Sequence, residues 1–356
     1  MDHAHSTLSP PPSPAAAQLQ QQRAVVVKDD RQRAECCHEG EHNHAEEENE
    51  PKELQLTDCI EFGPDCEDIY HVGTAGLKAR VLNGLDDMVQ LKEIRVRSNL
   101  LYKMTGIENL ENLTHLELYD NQIKKVAGLD RLVKLRYPFR PVLPSRNSSL
   151  IRTIPDLSHL TQLQELYVAN NKLTHITGIA SLSTLKKLDL GANRIRVLEG
   201  LDNLIELEQL WLGKNKITKI QGLEALVKLK IISVQSNRLV SIDNLDANTE
   251  LQELYLSHNG IEAIQNVAHL SKLVILDVGA NRIPHIPDMA SLQALEDLWL
   301  NDNNVASFDD LLHLTSNTSL QTLYLERNPL ASDFEYRKRI HAALPFVSQI
   351  DATPIA

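Results

Sequence analysis

Residues 207–226 read LEQLWLGKNKITKIQGLEAL, and the spacing of the apolar residues in this stretch decides how the whole chain folds. Leu210 and Leu212 stand two apart, the period of a half-buried strand, so both point inward while Gln209, Trp211 and Gly213 point out. Asn215 ends that strand. Its amide can bond the backbone of its own and neighbouring turns, meeting polar groups that would otherwise be buried bare. Ile217, Ile220, Leu223 and Leu226 follow at intervals of three, the spacing of a short helical or 3-10 segment returning to the start.

The same frame, LxxLxLxxNxIxxIxxLxxL, recurs around Asn99, Asn121, Asn171, Asn193, Asn215, Asn237, Asn259, Asn281, Asn303 and Asn328, and seven of the nine intervals between them are 22 residues. This is the short form of the leucine-rich repeat. The predicted fold is α/β: a solenoid of about eleven repeats with a parallel concave β-sheet and short helical or 3-10 convex segments. No repeat closes its own core, so stability comes from stacking. Composition agrees. Apolar residues make up 42% of the chain and aromatics only 4%, which describes an aliphatic, uniform core.

Four regions follow. Residues 1–58 are rich in Pro, Gln, Ala, Glu and His and form an acidic tail expected to be disordered. That tail holds twelve acids against five bases, a net −7 of the chain's −12. Residues 59–88 include the degraded repeat IYHVGTAGLKARVLNGLDDM from Ile69 to Met88, a front cap; residues 89–332 are the repeats; residues 333–356 form a back cap, DFEYRKRIHAALPFVSQID being read as a terminal helix and turn. The regularity breaks once. Between Asn121 and Asn171 the interval is 50, and residues 136–150 carry Pro138, Pro141 and Pro144 where a strand is due. Proline supplies no N–H and does not sit in a central strand, so the strand should be missing or bulged. The stretch is either a genuine insertion or translated intron sequence standing for a lost coding piece.

An acidic chain is a poor partner for nucleic acid. No run of eighteen apolar residues suggests a membrane span, the N-terminus does not read as a signal peptide, and Cys36, Cys37, Cys59 and Cys66 all precede the repeats, so a reducing, intracellular setting is expected. The sequons at Asn112, Asn147 and Asn317 are then chance matches. No G-x-S-x-G, Walker, G-x-G-x-x-G or H-E-x-x-H motif occurs, so no enzyme, cofactor or metal is expected. The Cys/His run from Cys36 to His44 has ligand-type atoms but lies in the tail, and is read as incidental.

Outward strand positions carry more information. Thirty of them hold Tyr119, Tyr167, Trp211, Tyr255, Trp299 and Tyr324, six of the chain's 15 aromatics. They also hold eight acids (Glu93, Glu117, Glu165, Asp189, Glu253, Asp277, Asp297 and Glu326) against three bases (Arg95, Arg97 and Lys187). Exposed Trp and Tyr on a sheet mark a partner site, and the acids point to a partner surface with basic groups.

Segments such as LGKNKITKIQGLEALVKL, VQSNRLVSIDNL, ELYLSHNGIEAI, LWLNDN and LYLERNPL closely resemble the protein phosphatase 1 regulatory subunit 7 family, from about Ile69 to Ile355. The resemblance implies a non-catalytic partner of the phosphatase-1 catalytic subunit, joined in some assemblies by a further inhibitor subunit. It implies action in maturation, activity or targeting of the phosphatase, a need in mitosis, a place in nucleus and cytoplasm, and a monomer when free. The family's binding positions fall here on Tyr167, Asp189, Trp211, Asp277, Asp297, Trp299 and Tyr324. Tyr255 and Glu117 join this candidate partner site from the concave pattern alone. The alternative function is a structural adaptor of a cytoskeletal or ribonucleoprotein complex.

Overall fold

The computed structural model describes residues 54–59, 65–73, 77–123, 125–136 and 151–355. Thirteen strands run in chain order: β1 (Asp68–Val72), β2 (Glu93–Arg97), β3 (His115–Glu117), β4 (Glu165–Tyr167), β5 (Lys187–Asp189), β6 (Gln209–Trp211), β7 (Ile231–Ser233), β8 (Glu253–Tyr255), β9 (Ile275–Asp277), β10 (Asp297–Trp299), β11 (Thr322–Tyr324), β12 (Gln349–Ile350) and β13 (Thr353–Pro354). They make a parallel solenoid of about eleven turns. β1 to β3 form one sheet and β4 to β13 another, the last strand alone being antiparallel. Gln164 N–H donates to Arg136 O at 3.0 Å, and His159 Nε2 lies 3.0 Å from Leu129 O, so hydrogen bonds link the two blocks beside the break. The proline segment expected to lack a strand lies, from residue 137 on, outside the described residues.

Each turn buries the residues the frame assigns to it. Leu210, Leu212, Ile217, Leu223 and Leu226 are fully buried. The strand-ending asparagines form a ladder: Asn215 Oδ1 accepts Ile195 N–H at 3.0 Å while its Nδ2 donates to Leu190 O and Leu212 O, both at 3.0 Å. Each amide therefore ties its own strand end to the previous turn, leaving few backbone groups unmet in an aliphatic interior. The residue before each of the ten asparagines, from Ser98 to Arg327, is left-handed, with φ between 51° and 63°. That turn swings the amide inward, and non-glycine residues tolerate it because the ladder fixes both flanks.

On the convex side successive turns close by N–H bonds three residues back, as in Leu204 to Leu201 and Leu207 to Leu204. A true 3-10 helix forms over Phe308–Leu314, capped by Ser307, which accepts Asp309 N–H at 3.0 Å. Gly178 shows what these turns demand. Its φ is +75° and a Cβ there would lie 2.0 Å from Pro155 O.

Both caps differ from expectation in detail. Residues 54–58, assigned to the tail, carry structure: Gln55 bridges Val81, and Leu56 and Cys59 of helix α1 (Leu56–Cys59) are fully buried, because the first repeat needs a layer of its own to cover it. Burial pushes the Cys59 thiol up to about 11, with Asp58 adding to it. At the back, helix α2 (Tyr336–Ala343) is followed by β12 and β13, a hairpin where a turn was expected. Asp351 takes the ladder position there, accepting Leu325 and Glu326 N–H, both at 2.9 Å, and the Tyr336 hydroxyl. Asn317, within a sequon, is fully buried and donates to Met289 O and Leu292 O, which leaves no room for a glycan in the folded chain.

Candidate concave interaction face

Parallel register aligns one outward column along the sheet: Tyr167, Asp189, Trp211, Ser233, Tyr255, Asp277, Trp299 and Tyr324. Glu117 holds the same column in the first sheet, opposite Arg95, and Asp297 begins the neighbouring column opposite Ile275 and Thr322. All nine candidate residues therefore share one face. The column alternates large and small from Tyr167 to Trp299, and Tyr324 then follows Trp299 on the adjacent strand. Strands stand about 4.8 Å apart, so rings on every second strand start roughly 10 Å apart and must lean together to touch. They do lean. Trp211 and Tyr255 centroids are 6.2 Å apart and nearly parallel, Tyr255 and Trp299 are 6.4 Å apart at 60°, and Trp299 meets Tyr324 edge-on at 5.9 Å.

Leaning closes the rings over what lies between them. Asp277 is only 3% exposed and Ser233 likewise 3%. Glu117, at 4%, is covered by Arg97, whose guanidinium bonds it at 2.6 Å, and Tyr167, at 6%, lies under the Lys187 ammonium at 5.3 Å and donates its hydroxyl to Glu165 at 2.7 Å. Strand parity places Asp277, Glu117 and Tyr167 on the outward face, and neighbouring side chains cover all three there, because parity fixes the face and not the cover. Trp211, Tyr255, Trp299, Tyr324, Asp189 and Asp297 are half-buried and remain on the open surface. Both indole N–H groups are shielded from solvent and find no acceptor among the described residues.

Charge is distributed unevenly. Glu253 accepts the Tyr255 hydroxyl at 2.9 Å, and burial together with that bond and the nearby Asp277 and Asp297 carboxylates holds the phenol above its ordinary range. Neither Glu253 nor Asp297 has a cation within ion-pair distance among the described residues, and their column neighbours Ile231, Ile275 and Thr322 are all uncharged. No group of three His, Cys, Asp or Glu among the described residues is placed to hold a metal, and the Cys36–His44 run lies outside them. No helix among them is long and apolar enough to cross a membrane.

Sequence reasoning missed one participant, Gln235. Its side chain donates to Ser257 Oγ at 3.0 Å and to Asp277 Oδ2 at 2.7 Å, two turns away. A signal was present: between Ala169 and Gly279 the column reads Ala169, Gly191, Gly213, Gln235, Ser257, Gly279, so Gln235 is the one long side chain in that stretch.

Known proteins match this geometry at two levels. The leucine-rich repeat family model matches residues 232–355, and a model of two leucine-rich repeats matches 183–225 and 205–247. Among solved structures, a leucine-rich-repeat protein of Leptospira interrogans superposes with a TM-score of 0.65 at 22% identity, covering 77% of this chain and 76% of its own. An internalin (inlF) of Listeria monocytogenes superposes with a TM-score of 0.64 at 25% identity, covering 81% and 87%. Among curated proteins, protein phosphatase 1 regulatory subunit 7 of Xenopus tropicalis is 68% identical over 34 residues and that of Homo sapiens 63% identical over 35. Those matches span a tenth of this chain and a tenth of each relative. By frame, asparagine ladder and superposition alike, the chain folds as a leucine-rich-repeat solenoid.

Proposed function

We propose that this protein is a non-catalytic regulatory subunit that seats the catalytic subunit of Ser/Thr protein phosphatase 1 on its concave face and controls its maturation, activity or targeting, including in mitosis, in nucleus and cytoplasm. The observation that carries this reading is the contiguous wall of Trp211, Tyr255, Trp299 and Tyr324 beside the unpaired carboxylates of Glu253 and Asp297. Rigid aromatics next to charges that lack a counter-ion are what a protein interface with basic groups requires. The short matches to regulatory subunit 7 sequences support the choice of partner.

Co-purification of the phosphatase-1 catalytic subunit with wild type and with the double variant Asp297→Ala, Trp299→Ala tests it. Truncating central interface anchors costs about 2 kcal/mol or more, so recovery should fall by at least about tenfold. Equal recovery from both proteins would remove the concave face from the function.

A further inference from the structure

We infer that Gln235 is a positioning residue of the concave face: it ties down the two spacer residues, Ser233 and Asp277, that set the placement of the Trp211, Tyr255 and Trp299 rings. The inference rests on the partner-binding reading above, since its main readout is docking.

The geometry is specific. Ser233 stands between Trp211 and Tyr255 in register, and Asp277 between Tyr255 and Trp299. Gln235 reaches both: its Oε1 accepts from Ser233 Oγ at 3.4 Å, and its Nε2 donates to Asp277 Oδ2 at 2.7 Å and to Ser257 Oγ at 3.0 Å. The other Asp277 oxygen accepts Gly279 N–H at 3.1 Å. Both oxygens of a nearly buried carboxylate are thus met by N–H donors, and one amide joins three consecutive turns, those of Ser233, Ser257 and Asp277. Tyr255 is held from the other side by Glu253 at 2.9 Å. A ring pinned between two braced spacers cannot swing into the gap, so the aromatic wall exists before a partner arrives. Pre-organised anchors bind more tightly because less freedom is lost on docking.

A merely structural amide and a brace give different signatures when it becomes a carboxylate. In Gln235→Glu, two carboxylates would meet where a 2.7 Å hydrogen bond stood, so they repel near neutral pH and share a proton in acid. The charges that act on the neighbouring Tyr255 hydroxyl, Glu253, Asp277 and Asp297, are all carboxylates, so an added one raises the repulsion.

The test measures binding of the phosphatase-1 catalytic subunit to full-length wild type, Gln235→Glu, Gln235→Leu and Trp299→Ala, at about pH 7.5 and about pH 5.5, each variant divided by wild type at the same pH. Gln235→Glu should bind roughly tenfold more weakly than wild type near neutral pH and regain most of that in acid, and Gln235→Leu should bind roughly tenfold more weakly at both. If Trp299→Ala weakens binding while both Gln235 variants match wild type, the brace is wrong and the partner reading stands. If Gln235→Glu is weak with no recovery in acid, general damage explains it and the brace is again wrong. If Trp299→Ala binds like wild type, the partner reading fails, and the brace is then judged on the free protein. The chain's two tryptophans both lie in this wall, so their emission should shift in Gln235→Leu, and unchanged emission overturns the inference.

Discussion

The sheets β1–β3 and β4–β13 come from one repeat frame yet treat their concave faces in opposite ways. In the first sheet the acids are matched: Glu93 pairs with Arg95 at 2.9 Å and Glu117 with Arg97 at 2.6 Å, and Arg97 also lies over the Tyr70 ring. Its aromatics stand apart, Tyr70 being 41% and Tyr119 42% exposed. In the second sheet the rings touch one another and Glu253 and Asp297 keep their charge unmatched. A face whose charges are internally paired has little left to offer, because any partner must first break those pairs. On the proposed reading, the difference assigns docking to the ten-strand sheet and support to the three-strand sheet.

The largest test of that division concerns stability. Both tryptophans lie in the ten-strand sheet, so their fluorescence reports its unfolding. Leu210→Ala, at a fully buried position on β6, should lower the stability read from tryptophan by about 2–5 kcal/mol. Leu116→Ala, equally buried on β3, should move that transition much less, since coupling in a solenoid runs between neighbours and no strand pairing joins β3 to β4 among the described residues. Denaturant titration of both variants decides it, and equal shifts would mean the two blocks unfold as one.

A step down in size is the ladder. Asn215→Ala removes the acceptor of Ile195 N–H and the donor to Leu190 O and Leu212 O, which should cost about 1–3 kcal/mol by the same fluorescence assay. Asn99→Ala removes the equivalent bonds to Ala79 N–H and Arg97 O in the other sheet. Its effect on the tryptophan signal should be smaller than that of Asn215→Ala, and a larger one would break the comparison.

What the amino-acid pattern reveals is whatever depends on period. Leu210 inward, Trp211 outward and Asn215 at the strand end follow from spacing, and the structure has all three in place. Cover is another matter. Asp277 and Asp189 occupy the same column, each donated to by a glycine N–H two residues on, yet only Asp277 lies nearly buried, because rings lean over it from both sides and Gln235 reaches it from two turns away. Such contacts join residues 42 apart and leave no local trace. The hairpin after α2 escaped for the same reason: Gln349 and Ile350 are too short a run to read as a strand until β11 lies beside them.

The smallest effect is a pH dependence of the support. His115, on β3, is half-buried and sits beside Arg95; burial first and that guanidinium second depress its proton affinity, and the neighbouring carboxylates only partly offset them. The folded chain therefore binds the proton less well than the unfolded chain does. Stability is unaffected while the imidazole is neutral in both states, and it falls as pH drops through the ordinary histidine range, where the unfolded state takes up a proton that the folded state resists. Hydrogen exchange at Leu116 in the three-strand sheet should accelerate between pH 7.5 and about 5.5 beyond the intrinsic pH effect, and His115→Gln should remove the excess. Leu210, far along the second sheet, should show no such His115-dependent term if the support and the docking sheet open independently, whereas a matching change at both positions would mean that protonating one end loosens the other.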